Sequence, residues 1–225
     1  MSKAIYFFGA GQADGTGSQK ELLGGKGAGL AEMTRLGIPV PPGFTITTEV
    51  CNSFFAQGGA LPEALKDEVR ASLERVSSIV GTRFGNPEAP LLVSVRSGGR
   101  ASMPGMMDTI LNLGLNDVIV DGLAKATGNR KFALDAFRRF ILLYSGVVLD
   151  VPRDKFEHAL VAARQKAAKH LGLDPSRFTG AELERKVPDS KLDEEALTDL
   201  IASEKAIVLQ ETGKAFPSDP MEQLW

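Results

Sequence analysis

"LLGGKGAGLAEM", Leu22 to Met33, sets four glycines around one lysine just where an amphipathic helix begins. Each glycine inside a helix costs roughly 1 kcal/mol relative to alanine, so the cluster needs an offsetting reason. Two readings stand side by side. In one, the glycines allow close helix packing and Lys26 is merely solvated. In the other, bare backbone N–H groups at a helix start, the helix dipole and Lys26 together hold an anion. The stretch is not a Walker loop, because Lys26 is followed by Gly27 rather than Ser or Thr, and no glycine lies five residues before it. Nor is it a dinucleotide fingerprint, since Gly27-Ala28-Gly29 is followed by Leu30, Ala31 and Glu32 without a third glycine.

Outward from this stretch, Ala4–Phe8 reads as a short strand, followed by a Gly/Ser/Asp-rich loop to Gln19. The helix is predicted from about Gly25 to Leu36, closed by Gly37 and by Pro39, Pro41 and Pro42. A strand at Phe44–Thr47 leads into a helix through Phe54. Pro62 opens another helix, striped by Leu65, Val69, Leu73, Val76 and Val80. "PLLVSV", Pro90–Val95, is a compact apolar strand. From Asn116 to Gly213 only helical periodicity is evident: a buried helix over Phe132–Leu149, one after Pro152, and one ending at Gly213. Residues 171–191 read as a loop. In "SDPMEQLW", Asp219 looks like an N-cap, with Pro220 the first helical residue and Glu222 a capping-box acid. So short a helix is unstable alone, which favours a piece of a longer protein.

The totals narrow the function classes. With 225 residues, 43% hydrophobic and 24% charged, the composition is that of an ordinary globular protein. A net charge of -2 argues against nucleic-acid binding by bulk electrostatics. There is no apolar run for a membrane span and no secretory signal, and the single cysteine, Cys51, suits a reducing cytoplasm.

A second basic, glycine-lined stretch raises the odds for the anion. In "VSVRSGGRASMPGMMDTILNLGLND", Arg96 and Arg100 bracket Ser97, Gly98 and Gly99 directly after the apolar strand. Small residues let backbone N–H groups approach a ligand, and guanidinium forks bind phosphate oxygens bidentately. Met103, Met106 and Met107 are either core filling or a flexible cover over a bound base.

These two stretches, with "NRKFALDAFRRFILLYSGVVLDVP" and "FPSDPMEQL" in the same order, closely resemble the N-terminal nucleotide-binding region of the pyruvate, phosphate dikinase family. The resemblance spans nearly the whole chain and is weakest over residues 164–208. It implies an α+β fold, a partial ATP-grasp: a mixed α/β first lobe over residues 1–115, an inserted all-helical subdomain over 116–212, and a truncated return segment toward the first lobe at 213–225. It further implies that Lys26 and Arg96 hold nucleotide phosphates, that Gly98, Gly99, Arg100, Ser102, Gly105 and Met107 belong to a loop over them, and that Arg139 lies near the nucleotide or at a lobe contact. As a plain reading of residues, Arg139 is equally an ordinary exposed or paired arginine, lying opposite the face of Phe137, Phe140, Ile141, Tyr144 and Val148.

The family reaction turns ATP, phosphate and pyruvate into AMP, pyrophosphate and phosphoenolpyruvate through a phosphohistidine on another domain. The resemblance thus implies ATP with Mg²⁺ as cofactor and a homodimer of the full-length protein, while the totals above point to a cytoplasmic location with neither nucleic-acid nor membrane partners. His158 and His170 read as solvated helix-surface residues, so no catalytic residue is expected in this chain. Asp108 and Asp117 are available carboxylates, but nothing marks them as metal ligands, and no metal ligand is assigned. Alone, the chain is expected to be inactive and to bind ATP weakly or undetectably. A phosphoenolpyruvate synthase-like phosphotransferase and a stand-alone interaction module are the alternatives.

Overall fold

The computed structural model describes residues 3–98 and 109–225. The chain divides into two compact units, Met1–Phe84 with Arg96–Thr109, and Gly85–Val95 with Ile110–Trp225.

The first unit is built on β1 (Ile5–Gly9), where buried and half-buried residues alternate, as expected for a strand with one face inward. It pairs antiparallel with β2 (Gln12–Ala13) and with β3 (Gly43–Ile46), in register Ile5 to Ile46 and Phe7 to Phe44. The sequence reading placed β2 inside a loop; the positive φ of Gly9, Ala10 and Gly11 turns the chain back tightly enough to make the extra pair. Phe7 is buried, and the Arg75 guanidinium lies 3.6 Å above its ring. That arginine comes from α3 (Glu63–Val80), whose Leu65, Val69, Leu73 and Val76 are buried at helical spacing, while Val80 is exposed at the end. Between β3 and α3 runs α2 (Thr48–Ala56), and β4 (Arg83–Phe84) follows α3.

Helix α1 (Lys20–Arg35) is two helical pieces rather than one. Gly24 has φ 70° and ψ 166°, outside any helical geometry and accessible essentially only to glycine, so the long helix starts afresh at Gly25. This agrees with the predicted start. The short piece before it, Lys20–Leu23, lies between the predicted loop, which ends at Gln19, and the predicted helix.

In the second unit the apolar stretch predicted as one strand is two, β5 (Pro90–Leu91) and β6 (Val93–Arg96), and β6 pairs with β7 (Thr109–Leu113). Five helices carry the rest of the mass: α4 (Asp117–Thr127), α5 (Arg130–Val147), α6 (Arg153–His170), α7 (Gly180–Lys186) and α8 (Glu194–Thr212). Asn116, Asn129, Thr179 and Asp193 cap four of them with side-chain oxygens. Two 3-10 turns, Pro175–Arg177 and Asp189–Lys191, flank α7 in the segment that read as a loop. Gly122 is required where it stands, because a Cβ there would lie 1.6 Å from the Pro87 carbonyl oxygen. The core gathers Phe137, Phe140 and Tyr144 of α5 around Phe216, with ring centroids 5.5–6.4 Å apart. The last helix, α9 (Pro220–Leu224), is capped by Asp219, which accepts the Met221 N–H. Its Gln223 is buried and bonds the Gly114 N–H and the Leu115 and Pro217 carbonyls.

Candidate functional site

Lys26 stands in the first turn of the restarted helix. The sequence folds this way because its glycines do different jobs. Gly24 supplies the positive φ that ends the short leading piece. Gly27 lets α1 lie against β3: a Cβ there would sit 2.8 Å from the Thr45 side chain. At Gly25 and Gly29 an added Cβ would meet nothing within 4 Å. Those two glycines, one turn apart, leave a stretch of helix backbone uncovered beside Lys26.

The Lys26 ammonium donates to the Ser97 carbonyl at 3.3 Å, in an exposed contact. Ser97 directly follows Arg96, which is exposed at the end of β6. Two basic, glycine-flanked segments, 71 residues apart in the chain, thus meet. Gly98 is exposed, with open space around it. No carboxylate among the described residues pairs with Lys26 or Arg96. The arrangement therefore offers positive charge that no described carboxylate pairs with, next to helix backbone left open at Gly25 and Gly29, a setting that suits an anion. Gly99, Arg100, Ser102, Gly105 and Met107 lie outside the described residues, as does Asp108.

Arg139 lies in the second unit, exposed on α5 opposite the aromatic core. It is paired: Nε donates to Asp135 at 2.9 Å and Nη2 to Asp189 at 3.4 Å. Both carboxylates also hold Arg138, which is buried, and Asp189 takes a further bond from Arg164 at 2.7 Å. Burial works to raise the Asp189 pKa, but the Arg164 hydrogen bond and the charges of Arg138, Arg164 and Arg139 outweigh it and hold the carboxyl below its usual range. The Asp135–Arg139 contact was readable from its four-residue helical spacing. The Asp189 contact had no local signal, since the two residues are 50 apart.

His158 and His170 are both exposed on α6, as read from the sequence. Asp117 gives both carboxylate oxygens to Lys205 at 2.6 Å. Among the described residues, no group of three His, Cys, Asp or Glu side chains could hold a metal ion. Among them, too, no helix is long and apolar enough to cross a membrane.

Residues 20–78, which carry the glycine-lysine helix, match the family model described as the pyruvate phosphate dikinase AMP/ATP-binding domain. The chain is 44% identical over 225 residues to pyruvate, phosphate dikinase of Rhizobium meliloti, and 44% identical over the same length to that of Clostridium symbiosum. It is 45% identical over 222 residues to the chloroplastic pyruvate, phosphate dikinase 1 of Zea mays. The alignments take in 99–100% of this chain but only 22–23% of those relatives. Along its whole length, then, the chain is similar to the N-terminal part of pyruvate, phosphate dikinases, the part that holds their AMP/ATP-binding domain.

Proposed function

We propose that this chain supplies part of an ATP site in a pyruvate, phosphate dikinase, with Lys26 and Arg96 on the nucleotide phosphates and the backbone of Gly25–Gly29 and Ser97–Gly98 around them. The observation that carries the reading is the contact of Lys26 with the Ser97 carbonyl, which gathers the charge of both segments beside open helix backbone. In the same reading Arg139 is a further phosphate ligand, and Gly99, Arg100, Ser102, Gly105 and Met107 contribute a covering loop. The whole protein would convert ATP, phosphate and pyruvate into AMP, pyrophosphate and phosphoenolpyruvate, as a cytoplasmic homodimer. The histidine and pyruvate chemistry would belong to the parts of such proteins that this chain does not match.

What these residues do is bind and orient. Phosphoryl transfer depends on positioning and on neutralising charge, and a lysine, an arginine and oriented amides provide both. The described residues do not fit a Mg²⁺ site of their own, and none of these roles is routed through the ion.

Amide resonances of the isotopically labelled chain, followed during titration with millimolar ATP, test the reading. Perturbations are expected at Gly25–Gly29 and at Ser97 and Gly98. Lys26→Ala and Arg96→Ala each remove a charge-assisted hydrogen bond, so each is expected to weaken the response roughly 10- to 100-fold. A response confined to other parts of the chain, or one unaffected by both substitutions, would overturn the assignment.

A further inference from the structure

Arg139 is an exposed arginine on a helix surface, and such a side chain normally sweeps through many rotamers. Here it does not. Two carboxylates grip the same edge of its guanidinium, Asp135 at Nε and Asp189 at Nη2. Exposed ion pairs contribute little to stability, so this grip is a poor device for holding the fold together. The carboxylates themselves, however, are fixed. Buried Arg138 donates to both at 2.8 Å, and Arg164, nearly buried, donates to Asp189 at 2.7 Å. Three guanidiniums thus share two central carboxylates, with Glu184 reaching Arg164 from the solvent side. Arg139 is the outermost of the three and the most exposed. Its other edge, at Nη1, meets no acceptor among the described residues, and that edge can take an oxygen of an anion from solvent.

We propose that Asp189, together with Asp135, is a positioning residue that holds the Arg139 guanidinium with its free edge outward for a phosphate-bearing ligand. The proposal rests on the reading that Arg139 meets the nucleotide phosphates. Ordering the side chain in advance removes an entropic cost that would otherwise be charged against ligand binding. The anchor reaches across the sequence: Asp189 belongs to the 3-10 turn after α7, so this turn acts on a residue of α5.

The test is a double-mutant cycle on the 225-residue chain with ATP as the probe, read by affinity and by the Arg139 Nε–H resonance. Asp189→Asn is expected to move that resonance toward the position of an unconstrained arginine and to weaken ATP binding roughly 3- to 10-fold. In an Arg139→Lys background the same change should cost nothing more. Loss of Asp189 also leaves Arg138 with Asp135 alone and Arg164 with Glu184 alone, so Asp135→Asn is the second variant, leaving the Asp189–Arg164 bond in place; the same pattern is expected. An equal loss with and without Arg139 would overturn the proposal, because the carboxylates would then act through the fold. An unchanged resonance and unchanged affinity in both variants would overturn it as well. If Arg139→Lys itself leaves ATP binding intact while Lys26→Ala weakens it, the part given to Arg139 fails, and the proposal with it, but the nucleotide site stands. If neither change matters, the nucleotide reading itself has failed.

Discussion

Gly24 and Gly25 are neighbours with opposite reasons for being glycine. Gly24 needs its backbone geometry, φ 70° and ψ 166°, so Gly24→Ala is expected to destabilise the chain by roughly 1–3 kcal/mol. Gly25 lies in helical backbone, where a Cβ would find open space. Nothing among the described residues demands a glycine there, and an alanine would favour the helix by about 1 kcal/mol. The ligand reading explains the apparent waste, since a methyl group would cover amides that a phosphate approaches. Gly25→Ala is therefore expected to raise the thermal midpoint while weakening the ATP response at Lys26. Thermal melts of the two variants, with ATP titrations of Gly25→Ala, check this. A Gly25→Ala protein that is stabilised and binds ATP as well as the parent would show that the open backbone serves no ligand.

At the scale of elements, the approach of α1 to β3 is set by a single pair. The Cβ of an alanine at position 27 would lie 2.8 Å from both Cγ2 and Oγ1 of Thr45, too close for either to stay in place. Gly27→Ala is expected to cost roughly 1–3 kcal/mol in spite of its better helix propensity. In a Thr45→Ala background, which removes both clashing atoms, most of that loss should disappear when urea unfolding of the four proteins is compared. The same elements mark how far the sequence could be read. The start at Gly25, the stripe of α3 and the end of α8 at Gly213 were legible, because periodicity and glycine chemistry are local. The break at Gly24 was not, since nothing in four nearby glycines says which one takes the positive φ. Strand β7 went unread because Thr109–Leu113 is defined by its pairing with β6, not by alternation of its own. Helix α7 could have been found: Thr179 and Glu182 form a capping box whose spacing is plain in the sequence. At the site, Lys26 and Arg96 could be named from their glycine neighbours. The Ser97 carbonyl as the partner of Lys26, and Asp189 as the partner of Arg139, depend on contacts over 71 and 50 residues that no local pattern carries.

Over the whole molecule, the acid–base groups with shifted pKa values pull stability in opposite directions with pH. Asp14 and Asp189 are each raised by burial but lowered further by their partners, Lys3 and the Phe7 N–H for Asp14, Arg164 and its neighbours for Asp189. Their contribution is present above the carboxylate pKa of the unfolded chain and is lost as pH falls through the lower folded values. Glu204 runs the other way. It occupies the apolar face of α8, between Ile201 and Val208, is 1% exposed, and has a buried Oε2 without a hydrogen-bond partner. Burial pushes its pKa up to about 8; Arg138 opposes the rise and Asp135, also on α5, adds to it. The folded state therefore holds a proton on Glu204 that the unfolded chain gives up near pH 4.5. Its contribution is complete below that value, falls as pH rises, and is gone once pH passes about 8. The slope approaches about 1.4 kcal/mol per pH unit in the middle of this window, where the two carboxylates are already ionised. Glu204→Gln keeps the shape and removes the titration. Urea unfolding measured from about pH 5 to pH 8 is expected to show the parent losing several kcal/mol while the variant stays nearly level. Parallel profiles for the two proteins would mean that Glu204 is ionised in the folded state, with Arg138 as its counter-charge rather than a bystander.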